Sequence, residues 1–230
     1  MSEKTVIVTG ANGNLGAAVI KKFSENAFHV IGTVRHKREP KEVNENKVEE
    51  AVLDLLHEKE YQQFVEEVIA KNNAIDIAVL TAGGFTMGDI ADTKSSDIAK
   101  QYQLNFETAY NIARPVFVQM IKQNNGRIFL IGSHQGLDTT KGKSAVGYAL
   151  SKSLLFRLAE IMNAEAKGKN VEVSVIVPGT IDTPQNRESM PGADFSAWES
   201  PSEIAEVIYF YSGEEGRKLH EPVIKVYINP

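Results

Sequence analysis

Apolar runs and amphipathic stretches alternate along the whole chain. Residues 4–9, Lys4-Thr5-Val6-Ile7-Val8-Thr9, form a short β-branched run without polar alternation. That is the pattern of a strand buried on both faces. Residues 28–34, 75–80, 127–132 and 171–177 repeat it, 48–53 do so more weakly, and 222–228 alternate as a last strand. Helical periods fill the gaps. Leu15, Val19 and Phe23 recur at helical spacing, and Tyr61, Phe64, Val65, Val68 and Ile69 give a clean stripe that predicts a helix over 57–72. Leu104, Thr108, Ile112, Val116 and Met120 mark a long helix that Pro115 is expected to bend. Residues 148–167 form another, with Leu154, Leu155, Leu158, Ile161 and Met162 expected to face inward, and 201–211 a last one. Residues 39–47 read as a polar loop, and 184–200 show no period.

Strands and helices alternating without a linker or repeat predict a single α/β domain over 1–230. Its sheet is expected to be doubly wound, mostly parallel and seven-stranded, with helices on both faces. Ligands of such sheets bind beyond the carboxyl ends of the strands. The chemistry is therefore expected just after residues 9, 34, 53, 80, 132 and 177, and each place holds polar or Gly-containing chain.

Composition narrows the classes. With 230 residues, 42% of them hydrophobic, the chain can bury a sizeable core unaided. It has no cysteine, which removes disulfide and thiolate chemistry. Its five histidines show no metal-ligand spacing, so no metal is expected. A net charge of −5 with mixed signs argues against nucleic acid as a partner. No apolar run approaches the ~20 residues of a membrane span, and a strand begins within a few residues of Met1. The expectation is a soluble, cytoplasmic protein without a signal peptide or membrane segment.

The segment after the first strand, Thr9-Gly10-Ala11-Asn12-Gly13-Asn14-Leu15-Gly16, joins it to the first helix. Gly10, Gly13 and Gly16 fit the dinucleotide fingerprint: a tight turn, close backbone approach to a pyrophosphate, and close helix packing. The backbone N–H groups of Asn14, Leu15 and Gly16 would hold the anion, which makes the fold Rossmann-type. At the end of the second strand stand Val34 and Arg35 in place of an acid, a choice that favours NADP while leaving NAD possible. Asp54-Leu55 could accept a bond from an adenine amino group, or Asp54 could cap the next helix. Ala82-Gly83-Gly84 could let a ribose pass close to the backbone, or could be an ordinary turn.

The strongest candidate for chemistry runs from the fifth strand into the helix after it. Ser133 ends the strand, and Tyr148 and Lys152, four residues apart, share one helical face. A phenol with pKa near ~10 is a poor acid–base catalyst at neutral pH. An ammonium nearby is expected to lower that pKa, and its other donors can hold ribose hydroxyls. Ser133 can hydrogen-bond a substrate carbonyl while Tyr148 protonates the oxygen.

Together these residues resemble the short-chain dehydrogenases/reductases. Gly10-x-x-Gly13-x-x-Gly16, Ala82-Gly83, Asn105, Ser133, Tyr148-x-x-x-Lys152 and Pro178-Gly179-Thr180-Ile181-Asp182-Thr183 stand in that family's order, and the likeness covers nearly the whole chain. The resemblance implies an NAD(P)-dependent oxidoreductase. It also implies that Asn105 completes a tetrad through a water relayed to Lys152. The Ile181 backbone and the Thr183 hydroxyl, beside Pro178 and Gly179, would then hold the nicotinamide carboxamide. A homodimer or homotetramer pairing the helices at 102–122 and 148–167 is implied too.

A narrower likeness follows the sixth strand. The segment from Asp182 to Trp198 is similar to the corresponding part of dihydropteridine reductases, as is Thr81-Ala82-Gly83-Gly84-Phe85. It implies reduction of a quinonoid dihydropterin, with a substrate loop near 184–199 in which Phe195 and Trp198 either wall the pocket or anchor the loop. That branch carries an acid after its second strand and lacks the serine, whereas this chain has Val34-Arg35 and Ser133, so a carbonyl substrate stays open. His134 faces the pocket or belongs to the loop. Two other classes remain: a non-catalytic NAD(P)-binding redox sensor, and a nucleotide-sugar epimerase, which usually needs a longer C-terminal region.

Overall fold

The computed structural model describes residues 3–36, 48–219 and 222–227. The expected loop at 39–47, Lys37 and Arg38 of the basic run, and residue 228 of the last expected strand lie outside the described residues. The strands are β1 (Thr5–Thr9), β2 (His29–Val34), β3 (Val48–Val52), β4 (Ile77–Leu80), β5 (Gly126–Ile131), β6 (Val171–Pro178) and β7 (Val223–Val226). They form one sheet in the order β3-β2-β1-β4-β5-β6-β7, and every pair is parallel. The expected fold is thus observed, with the sheet wholly rather than mostly parallel.

The helices are α1 (Asn14–Glu25), α2 (Glu58–Asn72), α3 (Ser95–Gln101), α4 (Thr108–Gln123), α5 (His134–Leu137), α6 (Thr139–Gly142), α7 (Val146–Glu165), α8 (Pro184–Ser189) and α9 (Pro201–Ser212). Successive strand residues point to opposite sides, and both sides are buried. Ile7 of β1, with Ile128 and Leu130 of β5, packs in one core with Phe64, Ile112, Val116 and Leu155. Val6 and Val8, with Phe129 and Ile131, pack in the other with Val19, Phe23, Ile204 and Ile208. This double burial is why the strands read as unbroken apolar runs. The strand order reverses between β1 and β4, which opens a crevice at their carboxyl ends, the usual ligand site of such sheets.

Four readings of the sequence are corrected. The helix expected from Leu104 onward is two pieces, a π-helical segment Tyr102–Glu107 that continues directly from α3, and α4, which runs through Pro115. The wider π turn shifts the helical phase, so Leu104 is 36% exposed while Asn105 is 1% exposed. On α7 the buried face is Ser151, Lys152, Leu155, Ala159 and Met162, whereas Leu154 and Ile161 point outward. Apolar residues lie all around this helix, so periodicity alone could not choose its inner side. The stretch expected to be irregular holds α8 and a 3₁₀ turn, Phe195–Ala197. Thr183 caps α8 by accepting from the Asn186 N–H at 3.1 Å, with Pro184 in its first turn. Last, the loop after Ser133 contains α5 and α6.

Candidate active site

The turn after β1 is set by three missing side chains. Gly10 has φ +67°, and a Cβ there would stand 3.0 Å from the Ala82 nitrogen. The Gly13 N–H closes the turn on the Gly10 carbonyl at 2.9 Å. A Cβ on Gly16 would lie 2.3 Å from that same carbonyl oxygen, so α1 can pack this closely only on glycine. Asn14, Leu15 and Gly16 open α1, where backbone N–H groups have no intrahelical acceptor. Across the crevice the Thr81 hydroxyl donates to the Thr9 carbonyl at 2.6 Å, and the Ala82 N–H donates to the Thr9 hydroxyl at 3.2 Å. These bonds fix the ends of β1 and β4 relative to each other.

A cavity of about 320 Å³ lies beside this turn. Of the expected cofactor residues, Gly10, Gly13, Arg35, Leu55, Ala82 and Gly83 line it. Asp54 lies beside it, with its carboxylate accepting from the Leu56 N–H at 2.9 Å and standing 3.9 Å from the Arg35 guanidinium. Sequence reasoning did not assign Asn12, Thr33, Leu53, Thr81, Leu104 and Thr108, which also line the cavity. For Thr33, Leu53 and Thr81 a signal existed, since each stands at a strand end where ligands of this fold bind. Leu104 and Thr108 carried none, because both were read as core.

At the end of β5 the four candidate catalytic residues come together. Ser133 is buried, and its hydroxyl accepts from the Gly136 N–H at 3.0 Å, capping α5. The same side chain lies close enough to Tyr148 to act on its phenol. Lys152 is fully enclosed, and its Nζ donates to the Ile131 carbonyl at 2.7 Å. Burial lowers the Lys152 pKa to about 8. Burial also raises the Tyr148 pKa, with the nearby Ser133 side chain opposing it. The expected lowering by Lys152 is not present: its nitrogen lies 5.8 Å from the centre of the phenol ring and is directed to Ile131.

Asn105 sits in the π segment and is fully engaged. Its Oδ1 accepts from the Gly84 N–H at 3.0 Å. Its amide nitrogen donates to the Gly84 carbonyl at 3.0 Å, to Gln101 at 3.0 Å and to Ser151 at 3.2 Å. Gly83 fits between Asn105 and Lys152: a Cβ there would be 2.7 Å from Asn105 Oδ1 and 3.4 Å from Lys152 Nζ. Asn105 therefore clamps the turn after β4 against the base of α7.

The residues after β6 form a separate arm of the site. Pro178 ends the strand, and the Gly179 N–H donates to Val226 at 3.1 Å. Ile181 pairs with Glu199, and its carbonyl accepts from Asn186 at 2.8 Å. Arg187 of α8 binds Asp182 through two contacts of 2.6 and 2.7 Å and lies over the Phe195 ring, which packs on Trp198. The two aromatics thus pack on each other, tilted by 54°, within the segment itself. Asn14 donates to Gln185 at 3.0 Å, joining α8 to the turn after β1. His134 stacks on Tyr227 with centroids 4.7 Å apart.

Chemically, the crevice can hold an extended dinucleotide, because its wall is glycine backbone and free helix N–H groups. Behind Gly83 of its wall stands the Lys152 ammonium, with the Tyr148 phenol and the Ser133 hydroxyl beyond it, groups suited to proton transfer at a substrate oxygen. Among the described residues no cluster of side chains suited to a metal ion occurs, and no helix is long and apolar enough to cross a membrane.

Known proteins match this arrangement. A sequence profile described as short chain dehydrogenase matches residues 4–193. The 3-oxoacyl-(acyl-carrier-protein) reductase FabG of Thermotoga maritima is 27% identical over 237 residues, spanning 97% of this chain and 96% of that protein. The cyclic-di-GMP-binding biofilm dispersal mediator protein of Escherichia coli is 26% identical over 219 residues, 92% of this chain and 90% of that one. Among solved structures, ElxO with NADP bound shares the fold with a TM-score of 0.86 at 21% identity, covering 97% of both chains. The crystal structure of gox2181 does so with a TM-score of 0.87 at 22% identity, covering 98% and 95%.

Proposed function

This chain belongs to the short-chain dehydrogenase family and is an NAD(P)-dependent oxidoreductase, and we propose that it reduces a carbonyl or a pterin-like small molecule with NADPH. The observation that carries this reading is the gathering of Ser133, Tyr148 and Lys152 around the end of β5, beside a crevice lined by Gly10 and Arg35.

Gly10 and Gly13 give the pyrophosphate close access, and the N–H groups of Asn14, Leu15 and Gly16 bind it. Arg35 takes the 2′-phosphate, with no acid at the end of β2 to repel it. Asp54 and Leu55 border the adenine, and Ala82 and Gly83 the ribose. Pro178, Gly179, Ile181 and Thr183 hold the nicotinamide end. When bound, the reduced cofactor supplies the hydride. Tyr148 supplies the proton: its raised pKa keeps the phenol protonated at neutral pH, ready to donate to the substrate oxygen. Ser133 orients that oxygen, and Lys152 binds ribose hydroxyls. Asn105 keeps the turn after β4 in place against α7 and completes the relay.

The relatives named as acyl-carrier-protein reductases support a carbonyl substrate. The likeness of residues 182–198 to dihydropteridine reductases supports a ring substrate, with residues 184–199 as the substrate loop of a single domain. A second reading, a nucleotide-binding regulator, draws on the name of the Escherichia coli relative. It leaves the Ser133, Tyr148, Lys152 and Asn105 set without a use. Exposed Tyr102, Tyr110, Val118, Leu150, Leu154 and Ile161 lie along α4, α7 and the π segment. Such apolar faces support a homodimer or homotetramer paired through these helices.

The direct test is oxidation of NADPH and NADH with quinonoid dihydropterin, aldehydes, ketones, quinones and a 3-oxoacyl thioester. Turnover with at least one of them, faster with NADPH, is expected. Tight cofactor binding with no turnover on any would favour the regulator.

A further inference from the structure

The rim of the proposed site carries aromatic rings in an order set by the sheet. Phe85 follows β4, His134 follows β5, and Tyr227 follows β7. Phe85 meets the Tyr148 ring edge-on, with centroids 4.9 Å apart and planes at 81°. It is nevertheless 54% exposed, and Met87 two residues on is 67% exposed. On the other flank His134 and Tyr227 are stacked with planes 22° apart. Tyr227 stands beside the turn after β6, since a Cβ on Gly179 would lie 3.1 Å from its Cβ. Phe85 therefore flanks Tyr148, and the His134–Tyr227 stack begins at the residue after Ser133.

From this placement we propose that Phe85 is a specificity-determining residue that selects a flat, conjugated substrate, one whose carbonyl or imine belongs to a ring system. The proposal rests on the reductase reading above and narrows its substrate. Phe85 is tied to Tyr148 by its contact on one side, and more than half of the residue stays exposed beside it. A ring stacked on that open surface stands nearly perpendicular to the phenol plane, so it presents an edge atom rather than its face to the phenol oxygen. Offset stacking rewards a flat partner through area and quadrupole alignment. A flexible aliphatic chain gains less, because it loses rotamer freedom when it is ordered against a ring. Contiguous exposed apolar side chains beside a polar reactive pair are the usual signature of a binding surface.

The test compares wild type, Phe85→Leu and Phe85→Trp with NADPH on a naphthoquinone, quinonoid dimethyldihydropterin, an acetoacetyl thioester and an aliphatic ketone. Leucine keeps apolar bulk at a half-exposed position, so the fold is retained, and a thermal melt checks this. The wild type is expected to prefer the two ring substrates in kcat/KM by at least tenfold. Phe85→Leu should lower the ratio of ring to aliphatic kcat/KM by about tenfold, mainly through KM, and Phe85→Trp should restore it. Binding of the oxidised pterin in the presence of NADP, read by calorimetry, should weaken in parallel. A wild type that prefers the open-chain substrates overturns the proposal, as does a ratio unmoved by Phe85→Leu. Oxidation of NADPH with none of the four contradicts the reductase reading instead, and the proposal falls with it.

Discussion

Lys152 turns its ammonium to the Ile131 carbonyl, 2.7 Å away, inside a fully enclosed site. The two residues lie on α7 and at the end of β5, so this bond ties the base of α7 to the central sheet. Burial without a carboxylate partner makes the charge costly and lowers the Lys152 pKa from 10.5 to about 8.

Stability should record that cost. Between about pH 8 and pH 10.5 the unfolded lysine holds a proton that the folded one has released, so stability rises with pH across this window. A gap of this size corresponds to roughly 3 kcal/mol of destabilisation at neutral pH. Lys152→Met should therefore be more stable than wild type at pH 7 and should lose the gain between pH 8 and pH 10. Urea unfolding at both pH values measures it. An equal pH gain in the two proteins would reject the account of this lysine.

Activity should carry the opposite imprint. The charged ammonium is the form that donates most strongly to ribose hydroxyls, and it is lost above about pH 8. The Tyr148 phenol, its pKa raised by burial, stays protonated throughout that range. The kcat/KM for reduction should therefore fall with a single-proton dependence as pH rises through about 8. A flat profile to pH 10 would show that the charge of Lys152 is not needed.

Cofactor choice is expected to depend on Arg35. Its ion pair with Asp54 spans 3.9 Å between two exposed side chains, a contact worth little to the fold. Arg35→Ala should leave the unfolding midpoint nearly unchanged. It should weaken NADPH binding by about 10- to 100-fold, the value of a charge-assisted contact, with a much smaller effect on NADH. Calorimetry with both cofactors separates the outcomes, and equal losses would contradict a 2′-phosphate role.

Gly83 is a steric prediction. A methyl group there meets Asn105 Oδ1 at 2.7 Å, and Asn105 is held by four hydrogen bonds on every side. Gly83→Ala should destabilise by about 1–3 kcal/mol, as overpacking of an ordered site does. It should also weaken cofactor binding, because the turn after β4 lines the crevice. Unchanged stability and binding would mean that Asn105 does not clamp this turn.

What the sequence disclosed follows from how far each signal reaches along the chain. Val6, Ile7 and Val8 announce their strand because each is buried whichever way it points. Gly10, Gly13 and Gly16 announce the turn because their constraint is local. The phase error at Leu104 has a local cause too, the π turn, but no residue in Tyr102–Glu107 spells it out. Leu154 and Ile161 were misplaced because the inner side of α7 is taken by Ser151, Lys152 and Ala159, a choice made by the packing of β5 and the turn after β4. The meeting of Ser133, Tyr148 and Lys152 was legible from spacing. The turn of the ammonium toward Ile131 was not, because it depends on a carbonyl that no side-chain pattern reveals.

The central claim is that Tyr148 donates the proton. The most direct measurement is steady-state NADPH oxidation by wild type and Tyr148→Phe with whichever panel substrate the wild type reduces, alongside NADPH binding by calorimetry. Removing the phenol oxygen leaves the ring and its contact with Phe85 in place. The predicted result is a loss of kcat of at least about 100-fold, the usual contribution of a positioned acid, with the NADPH dissociation constant within about threefold. A variant that turns over at the wild-type rate while binding NADPH equally well would contradict it.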